Sequence, residues 1–366
     1  MKNKMILLLI GLAINLNSCT KDELVFESAV ETKLKVEISD FKYEFDNNTK
    51  NLDATLVNNG KRLDPRSSHT SLVFDNKMWI IAGTSNGTLR NDVLWSTDGI
   101  SWNSSDARRK KFSERRDHAS VVFNGKMWVI GGRNDNDSYA LNDIWSSQDG
   151  NNWVLETDSA DFPPRWSHTV TEFENALWLI GGSTVEPFQS DAVCCGFNDV
   201  WRSTDGVNWT QIFDKSYGPN AVIQHATTVI SNNLVVVGGN FWGGGKSLNY
   251  SNNGYDWNSS KISPEFLGHQ IITEENLLWV TAGKRITGSY PHLTANEIWY
   301  SSDAINWLKA NLSAEFPARK EHTSVFYNNK LWIICGNDSE NNDLADIWSF
   351  SSPEFSDKID DIAIVQ

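Results

Sequence analysis

The sequence predicts an all-β fold made of six similar four-stranded units. Six of the seven histidines recur at spacings of 49, 50, 57, 44 and 53 residues, and each opens a stretch in which apolar and polar residues alternate. Alternation with a period of two indicates β-strands, and regular recurrence over tens of residues indicates an internal repeat. The six repeat histidines are His69, His118, His168, His225, His269 and His322.

Each repeat divides into four strands, A to D. Strand A follows the histidine, as in His69–Phe74, and a short polar turn leads to an apolar strand B that ends in small residues, as in Met78–Gly83. A loop of variable length precedes strand C, which carries Asn-Asp-x-Trp or a relative of it, and a Ser-x-Asp-Gly turn leads to strand D. Because Asp-Gly suits the positive φ of a tight hairpin, the pattern predicts antiparallel sheets with short turns.

Tryptophan is the unusual feature of the composition. The chain has 17 tryptophans in 366 residues, and 15 of them occupy three repeat positions, on strands B and C and at the start of strand D. These 15 are therefore predicted to pack within and between the units. Trp166 and Trp242 fall outside the pattern and remain candidates for another role.

A four-stranded unit with Gly-Gly after strand B and a late tryptophan resembles a kelch repeat, over roughly residues 66–350. The resemblance implies a six-bladed β-propeller. Tryptophan often replaces the usual tyrosine on strands B and C, and the C–D turn resembles the Asp-box of sialidase propellers. The sixth unit lacks a strand-D tryptophan after Trp348, whereas Leu52–Val57 precedes His69 at the offset of a strand D. We therefore expect an N-terminal strand to close the last blade.

The beginning of the chain resembles a bacterial lipoprotein leader. Residues 1–18 combine two lysines with a short apolar stretch, and Leu16-Asn17-Ser18-Cys19 is similar to a lipobox, which implies lipidation of Cys19. The following Thr20-Lys21-Asp22-Glu23 is similar to the export tag of Bacteroidetes surface lipoproteins. We expect an outer-membrane lipoprotein at the cell surface, with the periplasmic leaflet as the alternative.

The remaining chain divides into three predicted segments. They are a tether and N-terminal extension (19–50), the propeller (51–355) and a C-terminal tail (356–366). The net charge of −14 argues against nucleic-acid binding, which needs a basic face. We expect a monomer that contacts the membrane through its lipid anchor only, without metal or cofactor. Adjacent Cys194 and Cys195 leave open a strained disulfide, free thiols or a bond to another chain.

The candidate binding face is the end that carries the D–A and B–C loops, because these loops vary and gather cations and aromatic residues. The candidate ligand-binding residues are Arg66, Arg116, Arg165, Trp166, Trp242, Arg285, Tyr290, His292, Arg319 and Glu321. Exposed tryptophan beside arginine suits an anionic sugar. The alternative is that Trp166 packs between blades and the basic loop is merely solvated. For the repeat histidines we expect hydrogen bonds to backbone near the Gly-Gly end of strand B, with a metal-binding ring as the alternative.

These features predict a cell-envelope lipoprotein whose propeller binds a glycan or anionic polysaccharide. One alternative is a protein-interaction scaffold. Another is a sugar enzyme that resembles sialate epimerases, with Arg165, Arg319 and Glu321 as candidate pocket residues. Copper-radical oxidases share the kelch scaffold, but the sequence offers neither a Tyr-His pair nor a fitting cysteine. No catalytic residue is assigned, and ligand identity and catalysis stay open.

Overall fold

The computed structural model describes a ring of six blades around a central channel. Strand A of each blade contacts strand A of the next, and that of blade 6 contacts that of blade 1, so the ring is closed. All the described residues lie in one compact unit, Phe45–Gln366. They are 49–60, 63–105, 110–134, 140–184, 196–213, 223–240, 247–261, 266–274, 276–285 and 293–356.

Each blade is an antiparallel sheet whose strands neighbour each other in the order A to D. Blade 1 contains Thr70–Phe74, Lys77–Ser85, Thr88–Ser96 and Asn103–Ser104. Blade 2 contains Ala119–Phe123, Lys126–Arg133, Ala140–Ser147 and Val154–Thr157. Blade 3 contains Thr169–Phe173, Ala176–Ile180, Val200–Ser203 and Thr210–Phe213. Blade 4 contains Ile223–Ile230, Asn233–Asn240, Ser247–Ser251 and Asn258–Lys261.

Blades 5 and 6 follow the same order with small additions. Blade 5 contains Gln270–Glu274, Leu277–Thr281, Ile298–Ser301 and Leu308–Lys309. A separate small sheet beside it contains Phe266–Leu267, Lys284–Arg285 and Leu293–Thr294. Blade 6 contains Thr323–Tyr327, Lys330–Asn337 and Asp343–Ser351, followed by a short 3₁₀ helix at Pro353–Ser356. Among the described residues, no helix has the length and apolar character needed to cross a membrane.

The fourth strand of blade 6 comes from the other end of the described chain. Asn51–Asn59 pairs antiparallel with Asp343–Ser351, and its first residues pair in parallel with Asn311–Leu312. Leu52 is buried in the core cluster that joins blades 5 and 6. The predicted closure of the last blade by an N-terminal strand is confirmed, and the ring has no unpaired edge at this junction.

The repeat histidines join neighbouring blades. The Nε2 atoms of four of them lie 2.8–3.0 Å from a threonine Oγ1 atom of the preceding blade. The His69 Cβ atom packs so closely over Gly83 that a Cβ added to the glycine would lie 2.6 Å away. The expected backbone hydrogen bonds near the end of strand B are present for three of the rings, but strand B belongs to the preceding blade. The three pairs are His168 with Ile130, His225 with Ile180 and His322 with Thr281.

The C–D turns also pack against the preceding blade. In blade 2, Ser147 Oγ accepts the Gly150 N–H and Asp149 Oδ1 accepts two further backbone N–H groups, which fixes the turn. Gly150 then lies against the ring of Trp79 in blade 1, where an added Cβ would be 2.2 Å from the ring. Blade 5 has Ala304 at this turn position, and strand B of blade 4 has Val235 instead of tryptophan. The smaller partner makes room for the extra methyl group.

Replacing Gly150 with alanine is expected to destabilise the propeller by about 2 kcal/mol or more, because the new methyl group must displace a buried indole ring. Gly125→Ala is the matched control, since Gly125 also has a positive φ of 70° but no atom within 4 Å of an added Cβ. Urea unfolding of both variants separates the steric clash from the backbone strain. Equal losses in the two variants would contradict the packing described here.

Candidate functional site

The central channel encloses a cavity of about 320 Å³. Residues at the beginning of strand A line it in every blade, so all six repeats contribute to its wall. A channel at the axis of a closed propeller is the one place where side chains from every blade converge. The cavity is therefore a concave site to which every blade contributes.

The residue directly before each repeat histidine forms a ring at one end of the channel, which we call the mouth ring. All six members adopt a positive φ between 50° and 57° and line the cavity. They are Ser68, Asp117, Ser167, Gln224, Gly268 and Glu321. Backbone bonds connect neighbouring members: the Ser68 N–H donates to the Glu321 carbonyl oxygen, and the Asp117 N–H donates to that of Ser68.

The mouth ring holds two carboxylates on either side of one serine. Ser68 Oγ donates to Glu321 Oε2 over 2.9 Å. On the other side, Arg133 Nε donates to Asp117 Oδ2 over 2.6 Å. The guanidinium carbon of Arg133 lies 4.2 Å from the ring centroid of Trp166, which is a cation–π contact. Asp117, Arg133 and Trp166 thus form one ordered group between blades 2 and 3.

Below the mouth ring the wall consists of imidazole rings and hydroxyl groups. Thr70 Oγ1 lies 2.9 Å from His118 Nε2 and 2.7 Å from Ser120 Oγ. Burial lowers the pKa of His118, His269 and His322 to about 3 and that of His225 to about 4. The pKa values of His69 and His168 are also well below the ordinary value, first through burial and then through nearby Arg66 and Arg165. The histidines are consequently neutral at pH 7 and hydrogen-bond as uncharged rings.

Three predicted ligand-binding arginines lie in the protein interior. Arg66, Arg165 and Arg319 are fully buried, and each binds an aspartate on strand C of its own blade with two guanidinium nitrogens. Each also donates to a carbonyl oxygen at the end of strand B. Their donors are used by the scaffold, so the structure removes these residues from the candidate ligand-binding set.

A pattern in the sequence indicates these buried arginine–aspartate pairs. Arginine stands three residues before the histidine in blades 1, 2, 3 and 6, the same four blades in which strand C has the aspartate. In blade 4 both are missing together, with Val222 and Ser247 at the two positions. In blade 5 phenylalanine replaces the arginine, while Glu297 remains and pairs with Lys309 instead. Paired loss is expected of an ion pair, because one partner left alone in the interior is strongly unfavourable.

The other predicted residues have different positions. Trp166 and Glu321 line the cavity, and Arg116 is half-buried beside it, paired through its backbone with Arg133. Only the backbone of Arg285 is described, in the small sheet with Phe266. Trp242, Tyr290, His292, Cys19, Cys194 and Cys195 lie outside the described residues.

Trp166 does not present the open stacking surface that the sequence suggested. Its side chain is 5% exposed, and Arg133 covers one face of the indole ring. Most of the Trp166 side chain is therefore packed in the interior, as the alternative interpretation expects, although Trp166 still borders the cavity.

Sequence reasoning missed most of the mouth ring. The candidate ligand-binding residues do not include Ser68, Asp117, Ser167 or Gln224. The available signal was their place directly before the repeat histidine, where the residue type varies while the histidine does not. Among the described residues, no group of three or more histidine, cysteine or acidic side chains is arranged to hold a metal ion.

Comparison with known proteins supports the architecture. Residues 35–182 match the family described as the KLHDC2/KLHL20/DRC7 Kelch-repeats domain. The chain is a six-bladed β-propeller, and the kelch-repeat model matches its first two blades and the beginning of the third. The solved structure of YjhT is similar to this propeller, with a TM-score of 0.61 and 16% sequence identity, over 77% of this chain and 94% of that chain. No curated protein matches the sequence. In all, 421 chains of solved structures match the propeller, so the fold alone does not select a function.

Proposed function

We propose that this propeller is a carbohydrate-binding protein that takes a saccharide at the mouth of its central channel. The observation that carries the proposal is the mouth ring, where polar side chains converge on a concave cavity. Saccharide hydroxyl groups both donate and accept, and the ring offers carboxylates, hydroxyls and an amide. Asp117 and Glu321 supply acceptors, and Ser68 lies between them.

The charges at the mouth favour recognition of hydroxyl groups over recognition of an anion alone. Arg133 is engaged by Asp117, and the arginines nearest to the strand ends are buried in ion pairs. Lys284 stands close enough to Lys320 and Glu321 for both to affect its pKa, which burial lowers most. An acidic saccharide would draw on these lysines, whereas a neutral one needs only the mouth ring.

The leader indicates where this binding would take place. We propose that Cys19 carries the lipid anchor of an outer-membrane lipoprotein, with the propeller displayed at the cell surface. Incorporation of an alkyne-labelled fatty acid in cells, lost in Cys19→Ala, would support the anchor. Protection of the intact protein from added protease on whole cells would favour the periplasmic leaflet instead.

A thermal-shift screen with neutral and acidic glycans tests the binding proposal. A ligand that binds only the folded state stabilises it by about 2.7 kcal/mol at a concentration of 100 times its Kd, so the Tm of residues 20–366 is expected to rise. Glu321→Gln is expected to reduce this rise, because it replaces a charged acceptor at the mouth by a weaker one.

Glu174→Gln is the matched control, since Glu174 has a similar positive φ of 49° but lies exposed in the A–B turn at the opposite end of blade 3. An unchanged Tm with every glycan would contradict the proposal and favour the protein-interaction scaffold. Equal glycan shifts in both variants would contradict a role for Glu321.

The presence of Asp117 and Glu321 at one cavity also keeps a sugar-enzyme alternative in view, because carboxylates can act as general acid and base. Of the pocket residues suggested for that reaction, Glu321 alone lines the cavity, since Arg165 and Arg319 are buried in ion pairs. An anomer-exchange assay on N-acetylneuraminate discriminates the two functions. The spontaneous rate in the presence of the protein would exclude that activity and leave the binding proposal intact.

A further inference from the structure

The wall of the channel departs from its repeat pattern between blades 2 and 3. In blades 1, 3 and 6 the residue after the histidine is a threonine, whose hydroxyl bonds the histidine of the next blade. Blades 2 and 4 have Ala119 and Ala226 at this position, and blade 5 has Gln270. Ala119 offers no such hydroxyl to the next histidine, His168. A backbone hydrogen bond to Ile130 accounts for the N–H of His168, but no hydroxyl group or other side chain bonds the second ring nitrogen, although the side chain is buried and lines the cavity.

A second polar group without a partner lies at the same junction. The indole N–H of Trp166 is buried and makes no hydrogen bond, although tryptophan N–H groups in protein interiors usually find an acceptor. Trp166 also lines the cavity, and the equivalent residues of the other blades are Ser67, Arg116, Ile223, Leu267 and Lys320. Blade 3 therefore differs from the other five blades at this position.

The two groups together specify the chemistry of a partner. Trp166 Nε1 can only donate, so the partner must bring an acceptor oxygen. Neutral His168 has one N–H, which bonds the backbone of Ile130, and one nitrogen lone pair, so the partner must also donate a hydrogen bond to the imidazole. A hydroxyl group meets both requirements at once. A carboxylate cannot donate to the imidazole lone pair, and an ammonium cannot accept from the indole.

We propose that the blade 2–blade 3 side of the channel, formed by Ala119, Trp166 and His168, is a subsite for one hydroxyl group of the bound saccharide. This inference rests on the proposed function and deepens it, because it states which part of the channel recognises which group. Leaving both polar groups without a partner would be costly, since a buried unsatisfied group costs far more than an average hydrogen bond contributes. The absent threonine hydroxyl leaves the space that the ligand hydroxyl takes.

The first test restores the missing hydroxyl. Ala119→Thr places a threonine where blades 1, 3 and 6 have one, so its hydroxyl is expected to bond His168 and compete with the ligand. Titration with methyl glycosides of glucose, galactose, mannose and N-acetylglucosamine is expected to show about tenfold weaker binding than in the wild type. The Tm of the variant without ligand reports whether its fold is intact.

The second test removes only the indole donor. Trp166→Phe keeps an aromatic ring against Arg133 but loses the N–H, and about tenfold weaker glycoside binding is expected. Trp178→Phe is the matched control, because its N–H donates to the Phe173 carbonyl oxygen away from the channel mouth. Its stability is expected to fall while its glycoside affinity stays at the wild-type value. Monodeoxy analogues of the glycoside that binds identify the hydroxyl group, since one of them is expected to bind wild type and Ala119→Thr equally.

The outcomes separate the subsite from the proposed function. Wild-type glycoside affinity in both Ala119→Thr and Trp166→Phe would overturn the subsite and leave saccharide binding standing. A raised Tm of Ala119→Thr with unchanged glycoside affinity would mean that the space holds an ordered water only, which also overturns the subsite. Failure of every glycoside to bind the wild type would overturn the proposed function and the subsite together.

Discussion

A chain that begins at Lys61 is expected not to fold. It lacks Asn51–Asn59, the strand that pairs with Asp343–Ser351 and fills the outer position of blade 6. Its removal takes Leu52 out of a core cluster and leaves Trp348 and Phe350 on an open edge. Because the blades form one closed ring, loss of this strand breaks the sheet that joins the two ends of the chain. Circular dichroism is expected to show no cooperative melting.

The control chain begins at Thr49 and keeps the closing strand, so its Tm is expected to match that of residues 20–366. Two single substitutions make the same test without truncation. Leu52→Ala is expected to cost about 2–5 kcal/mol of unfolding free energy, because Leu52 is 1% exposed. Leu56→Ala on the same strand is expected to cost little, because Leu56 is 46% exposed. Cooperative melting of the Lys61 chain at the control Tm would contradict this role of the strand.

Acidification from pH 8 to pH 5 is expected to remove most of the stability of the propeller. The six repeat histidines are buried and neutral, and their pKa values in the folded state lie well below the unfolded value of about 6.5. The contribution of these histidines to the free energy of unfolding is fully present above the pKa of the unfolded state. It falls as the pH drops towards the folded values, because the unfolded chain then binds more protons.

At pH 5 each histidine is expected to lower the free energy of unfolding by about 2 kcal/mol. The six histidines together then approach the whole stability of an ordinary domain, which is about 5–15 kcal/mol. The turn aspartates act in a lower window, because backbone and side-chain hydrogen bonds lower the pKa of Asp205 to about 2 and lower that of Asp149. Urea unfolding midpoints measured from pH 8 to pH 5 report the histidine contribution to stability separately from that of the turn aspartates. A midpoint independent of pH over this range would contradict neutral burial of the histidine ring.

The architecture could be predicted from the sequence because it repeats. One tryptophan or one apolar strand indicates little about the fold, but six copies of the same strand order are compatible with few folds. The missing tryptophan after Trp348 identifies the blade that needs a strand from elsewhere in the chain. The hydrogen-bond partner of the histidine was less accessible. It lies in the preceding blade, about 50 residues away along the chain, and strand order alone does not show which side chains meet between sheets.

The candidate site was harder to predict for a physical reason. A charged residue near a strand end reads as exposed, yet Arg66, Arg165 and Arg319 reach inward to aspartates on the same blade. Glu321 was found because it stands beside such an arginine, whereas Asp117 was missed. Their common feature is a left-handed backbone before the histidine, which a non-glycine residue does not announce in sequence.

The most direct test of a binding site at the channel mouth is the indole N–H spectrum of the ¹⁵N-labelled protein during titration with the glycoside that gives the largest thermal shift. The 17 tryptophans supply one probe at the mouth and many elsewhere, and Trp166→Phe assigns the Trp166 signal by its disappearance. Saturating glycoside is expected to move the Trp166 signal strongly while the strand-B tryptophans Trp79, Trp128 and Trp178, bonded near the A–B turns, stay in place. A stationary Trp166 signal at saturation would contradict binding at the mouth.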